Sequence, residues 1–148
     1  MADSPESIVR RWFKEVWDDG REEAIDELMA PYGVAYGLPG GPIQGPTAFK
    51  SLFRMFRDAL GDLTIEVVRT VTQGDMVAAH CHVTGRHSGF AFGGEPTNQP
   101  VDFWGIAIVR VEDGKIVEGW NCFDMLLMYQ QIGWITTPPL PPATPAAT

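Results

Sequence analysis

Residues 62–84 read DLTIEVVRTVTQGDMVAAHCHVT, and their period decides the fold. Leu63, Ile65 and Val67 alternate with polar residues, which is the signature of a half-buried strand. Gln73-Gly74-Asp75 reads as a turn, and Met76 to Thr84 as a second strand. Downstream, Val101 to Val111 and Ile116 to Phe123 continue the strand pattern around the loop Glu112-Asp113-Gly114. Upstream of Asp62 the period is that of helices.

Three helices are expected there. Ser4 suits an N-cap and Pro5 a first turn, and Ile8, Val9, Trp12, Phe13, Val16 and Trp17 then form one apolar face that ends near Gly20. A second helix carries Ala24, Ile25, Leu28 and Met29 inward, with Pro31 as its stop. A short strand and a Gly/Pro-rich loop follow. Pro46 opens a third helix with Phe49, Leu52, Phe53, Phe56 and Leu60 on one side, closed by Gly61. The residues MLLMYQQIGW read as a short closing helix.

Helices followed by hairpin-linked strands give an α+β class. A curved, mainly antiparallel sheet folded over three N-terminal helices makes a cone-shaped barrel with an apolar mouth, a usual place for small ligands. Residues 1–135 are read as one domain and 136–148, rich in Pro and Ala, as a flexible tail.

Composition narrows the partners. With 11 Lys+Arg against 19 Asp+Glu the net charge is −8, which argues against nucleic acid or an anionic membrane as partner. No apolar run approaches the roughly 20 residues a bilayer span needs, and a cytoplasmic location is expected. Cys81 and Cys122 fit no zinc spacing and are read as two buried thiols. The Gly-rich loop at 33–45 has neither phosphate-binding pattern, and no GxSxG elbow is present.

Two groups of residues invite chemistry. The histidines cluster, with His80 and His82 on one strand face and His87 beyond Gly85. They read as pocket lining or as ordinary hydrogen-bonded residues more readily than as a metal site, which wants further ligands. On an ideal strand Ile116, Glu118, Trp120, Cys122 and Asp124 share a face. A carboxylate on that largely apolar face loses hydration, its pKa rises, and it suits a general acid or base. The competing reading makes Asp124 the N-cap of the closing helix.

The runs Gly85-Arg86-His87-Ser88-Gly89, Glu95-Pro96-Thr97-Asn98, Ile108 to Trp120, then Asp124 and Gln130-Gln131-Ile132-Gly133, together resemble SnoaL-like polyketide cyclases, part of the nuclear transport factor two-like superfamily. The resemblance covers roughly residues 5–133. It implies the cone, frequent dimerisation through the sheet, no cofactor, and an aspartate on the last strand that moves the proton in an intramolecular aldol closure. Asp124 is the matching position. Departures are Asn98 and Gln99 in place of Gly and Arg/Lys, and Arg86 where Thr is common. The Arg-x-Asp pair of the limonene epoxide hydrolases does not occur between residues 76 and 111.

The expected activity is therefore cofactor-free acid/base chemistry on an apolar small molecule, of the cyclase, isomerase or lyase kind. The alternatives are a non-catalytic binding protein, or an isomerase or epoxide hydrolase on the same fold. Asp124 is the expected acid/base, with His80, His82 or His87 hydrogen-bonding the developing enolate oxygen. Trp120, Trp104, Phe103, Tyr36, His87 and Asp102 are expected to line the substrate site. A three-residue hairpin loop at Glu112–Gly114 is favoured over a two-residue turn, and sets Asp102 across from Asp124. A homodimer through the outer sheet face is expected because both faces of the 101–111 strand carry large apolar groups, Val101, Phe103 and Val109 on one and Trp104, Ile106 and Ile108 on the other, while a single helix layer covers only one face.

Overall fold

The computed structural model describes residues 3–136, 138 and 141–146. Helix α1 (Pro5–Arg11) starts as its sequence suggests, with the Ser4 hydroxyl accepting from the Ser7 amide at 3.2 Å. It runs on into a π-helical stretch, Trp12–Asp18, closed by Asp19 N–H donating to the Lys14 carbonyl at 2.8 Å. In the wider π turn, residues five apart lie much closer to one side than they do in an α-helix. That spacing brings both Trp12 and Trp17 to the same side, and both end in the interior.

Helix α2 (Glu23–Leu28) stops before Pro31, because the chain is already paired as strand β1 (Met29–Tyr36) from Met29 onward. Pairing with the last strand ends the helix three residues before the proline is needed. After the two-residue strand β2 (Ile43–Gln44), helix α3 (Gly45–Ala59) presents Phe49, Leu52 and Phe53 to the core. Four long strands follow: β3 (Leu60–Gln73), β4 (Met76–His87), β5 (Pro100–Glu112) and β6 (Lys115–Phe123). Helix α4 (Met125–Gln131) closes the domain.

The six strands form one sheet in the order β2-β1-β6-β5-β4-β3, antiparallel except for β1 beside β6. Its two faces divide cleanly. In β5 the odd-numbered Val101, Phe103, Ala107 and Val109 are buried against the helices, while Trp104, Ile106 and Ile108 lie on the outer face. Gly105 lies within the inner row. A Cβ there would stand 2.1 Å from the Phe123 ring, so only glycine lets β6 close this tightly over β5.

The hairpin between β5 and β6 corrects the favoured register. The loop is the two-residue turn Asp113-Gly114, both with positive φ, and Glu112 pairs with Lys115. One further slip follows at once. Val111 pairs with Ile116 but Arg110 pairs with Glu118, so Val117 is the extra residue of a β-bulge. Beyond it the face of every side chain on β6 is reversed relative to an ideal strand. Trp104, not Asp102, therefore stands across from Asp124, whose amide donates to the Trp104 carbonyl at 3.1 Å.

Among the described residues no helix is long and apolar enough to cross a membrane. The tail expected after residue 135 falls partly outside the described residues; those described there are in neither helix nor strand.

Candidate active site

The concave side of the sheet and the helices enclose one apolar cavity, about 950 Å³ when its open mouth is included. Its wall comes from every layer: Trp12 and Trp17 from the π-helical stretch, Phe49 and Phe56 from α3, Leu63 and Ile65 from β3, Phe103 and Val109 from β5. The bulge determines what β6 contributes. Gly119, Asn121 and Phe123 face inward, and Trp120 and Cys122 face out. Among the described residues, Asn121 is the only one in the wall with an amide, carboxyl, imidazole, amine or guanidinium side chain. Its Nδ2 donates to the Tyr36 carbonyl at 2.9 Å, which leaves Oδ1 and one N–H for a ligand.

The sequence expectations separate sharply here. Phe103 lines the cavity. Asp124 does not. It is exposed and caps α4, its Oδ1 accepting from the Leu127 amide at 3.1 Å. The bulge and the end of β6 before Asp124 remove it from the inward row. Trp120 and Tyr36 stack on each other, ring centroids 4.2 Å apart, outside the cavity wall.

His80, His82, Trp104 and Asp102 form an outer-face cluster instead of a pocket. Trp104 is stacked by His82 at 4.4 Å and tilted against His80 at 4.8 Å. His82 Nε2 meets Asp102 Oδ1 at 2.7 Å, and the Arg69 guanidinium donates to His80 Nδ1 at 2.8 Å. Inward-facing positions of β4 are Val77, Ala79, Cys81, Val83 and His87, so an even-numbered histidine points away from the cavity by strand parity. His87 is on the opposite face from the other two, and the three do not converge on a metal. Among the described residues no three His, Cys, Asp or Glu side chains are grouped to hold one.

His87 is the buried polar residue of the interior, fully inaccessible to solvent. It is not in the cavity wall. Its Nδ1 accepts from the Thr97 amide at 3.2 Å, and its Nε2 has no partner among the described residues. Burial holds its pKa below the ordinary histidine value. Of the two cysteines only Cys81 is buried, and burial pushes its thiol up to about 12; Cys122 is exposed because the bulge turns it outward.

The SnoaL-like polyketide cyclase family's sequence pattern matches residues 7–132, nearly the whole described domain. The chain belongs to the SnoaL-like polyketide cyclase family. This SnoaL-like chain is 29% identical over 119 residues to the nogalonic acid methyl ester cyclase of Streptomyces nogalater, covering 79% of the chain and 89% of that enzyme. It is also similar to the crystal structure of IdmH, a candidate polyketide cyclase from Streptomyces antibioticus, with TM-score 0.77 and 29% identity over 88% of this chain and 99% of that one. A candidate polyketide cyclase from Bacillus cereus gives TM-score 0.75 and 31% identity over 87% of this chain and 80% of that one. A ketosteroid isomerase-like protein from Catenulispora acidiphila, solved with trimethylamine, shares the fold alone, with TM-score 0.75 at 17% identity over 92% and 100% of the two chains.

Sequence reasoning missed Asn121. A signal was present in Ile116-Val117, two adjacent apolar residues directly after a tight turn. Both are buried, which a regular strand with one solvated face does not allow.

Proposed function

We propose that this chain is a cyclase-type protein that holds an apolar, ring-forming ketone or ester in the cone and promotes its intramolecular closure without a cofactor. One observation carries the reading: a cavity with an aromatic and aliphatic wall in which Asn121 is the one amide group. Such a wall restricts a flexible chain to folded conformers and brings its reacting carbons together. The Asn121 N–H is suited to orienting a carbonyl oxygen, but an amide takes up no proton near neutral pH. In this reading Asp124 acts as the cap of α4, and proton transfer is left to the substrate's own acidic carbon and solvent at the mouth. The wall lacks the Asp and Arg that epoxide opening needs, which speaks against that activity.

The same lack of an ionisable wall residue favours, as a second reading, a binding protein that turns nothing over. The deciding experiment offers the purified chain an open ketone methyl ester that closes by an internal aldol step. Closure faster than in buffer, unchanged by Asp124→Asn and abolished by the cavity-filling Leu63→Trp, is expected. Tight binding with no acceleration in any form would leave the binding-protein reading.

The reading includes a cytoplasmic homodimer. Trp104, Ile106, Ile108 and Trp120 are 43%, 47%, 43% and 52% exposed on the outer sheet face, and a second copy would cover them. Residues 1–135 are taken as the folding unit, and 136–148 as a flexible tail with no part in the cavity.

A further inference from the structure

His87 ends the inward-facing row of β4, two residues beyond Gly85 and paired across the sheet with Leu60, which lines the cavity. A buried imidazole nitrogen without a partner is costly unless something else meets it. Phe92 bridges it to the cavity wall. The Phe92 ring packs edge-on to the cavity-wall residue Phe56 at 5.3 Å and nearly parallel to His87 at 5.9 Å. Trp134 packs edge-on to the imidazole at 5.2 Å and to Phe92 at 6.0 Å, so the three rings form one cluster.

Phe92 sits on a segment whose ends are held and whose middle is not. At one end Ser88 and Gly89 amides both donate to the Ala59 carbonyl, and a Cβ on Gly89 would overlap the Asp58 carbonyl. At the other end the Asn98 amide donates to the His87 carbonyl at 2.8 Å, and the Arg86 guanidinium to the Asn98 carbonyl at 2.5 Å. Between them, among the described residues, the only backbone hydrogen bond from Phe90 to Glu95 is Gly93 to Phe90, internal to the segment. Its middle can move without breaking backbone bonds to the barrel.

We propose that His87 recognises the ring-ketone oxygen in this cavity, with Asn121 left to a second carbonyl of a longer substrate: when Phe92 moves aside, the His87 Nε2–H donates to a carbonyl oxygen of a bound apolar ring ketone. This assignment rests on the reading that the cavity holds such a ketone. The tautomer follows from Thr97. Its amide donates to Nδ1 and its hydroxyl, also 3.2 Å from Nδ1, can donate there as well, which assigns Nδ1 a lone pair and the neutral ring's proton to Nε2. A protonated ring would set Nδ1–H against the Thr97 N–H. The ligand group must thus be an acceptor, a ketone, ester carbonyl or enolate oxygen, and not a cation. The full burial of the imidazole beside Phe92 and Trp134 strengthens that one hydrogen bond by excluding water.

The test uses the full, isotope-labelled chain with two probes of like shape, α-tetralone and its oxygen-free counterpart tetralin. Nitrogen NMR reads His87 Nε2, and the methyl signals of Leu63, Ile65 and Val109 read cavity occupancy. Tetralone is expected to shift both sets of signals with one saturation curve, whereas tetralin shifts only the methyls. Tetralone should bind about fivefold to tenfold more tightly, and His87→Phe should bring the two within about twofold while tetralin affinity holds. The wild-type nitrogen signal decides even where the variant does not fold. An unmoved Nε2 with tetralone in the cavity, or a ketone preference kept by His87→Phe, overturns the assignment and leaves the cavity reading standing. Failure of both probes to shift the methyls overturns the cavity reading, and the assignment with it.

Discussion

The inner and outer rows of the same two strands, β5 and β6, have opposite characters. Inward, Phe103, Ala107, Gly119 and Asn121 face a cavity that excludes nearly all polar chemistry. Outward, Asp102, Trp104, Arg110 and Glu118 put charge, imidazole stacking and bare aromatic surface side by side. Ionisable groups that would suit acid/base work are thus concentrated on the outer face, away from the cavity wall. The pocket itself is shaped for hydrocarbon. A polar or charged group is cheap on the wet face of the sheet and costly on the dry one, so the rows diverge unless a burial penalty is accepted. His87 is where the interior accepts it.

The division can be broken most strongly from within. Phe103→Ala should lower unfolding free energy by about 3 kcal/mol in urea titrations, at the low end for a core phenylalanine because the site already borders a cavity. A loss under about 1 kcal/mol would mean that the inner row packs too loosely to define a wall.

Outer-row changes should leave folding intact and alter assembly. Ile106→Lys should raise the dissociation constant of the dimer by about 30-fold or more, read by sedimentation velocity, with melting of the monomer little changed. A wild-type chain that sediments as a monomer at micromolar concentration would refute the assembly reading.

Asp124 tests the boundary between the rows. Asp124→Ala should cost about 1 kcal/mol of stability, the usual loss of an N-cap, while ring closure per folded molecule stays within about twofold of wild type. A closure rate that falls by orders of magnitude would return Asp124 to the chemistry.

The smallest expected effect is a pH slope. The folded pKa of His87 lies below the unfolded value near 6.5, so the unfolded chain binds the extra proton first. Stability is fully present above about pH 6.5 and is lost as pH falls toward the folded value. His87→Phe should flatten the midpoint-versus-pH curve in that window, measured by urea unfolding. An unchanged curve would show that other groups carry the slope.

Much of the fold was legible because its signals are local. The change of period at Asp62 and the Ser4-Pro5 start each act within a few residues, and their elements appear where they place them, whereas the β5–β6 loop is the two-residue Asp113-Gly114 turn and not the favoured three-residue one. Helix α2 ended earlier than Pro31 implied because a strand partner 87 residues away claimed Met29 first. The site was less legible for one reason. A single extra residue, Val117, reverses all of β6 beyond it, moving Trp120 out, Asn121 in, and leaving Asp124 to cap a helix. His80 and His82 were grouped correctly with each other, but which side of β4 faced the helices was not settled by alternation alone.

From the sequence alone followed the α+β class, the helix-then-sheet order, the acidic surface and the family to which the chain belongs. These depend on periodicity, composition and motif order, which survive without knowledge of partners. Tertiary structure alone decided the sheet faces, the register past the turn, the apolar wall with its lone Asn121, and the sealed His87. Those depend on which strand meets which and on one bulge, and in a period-two strand a shift of one residue exchanges inside for outside.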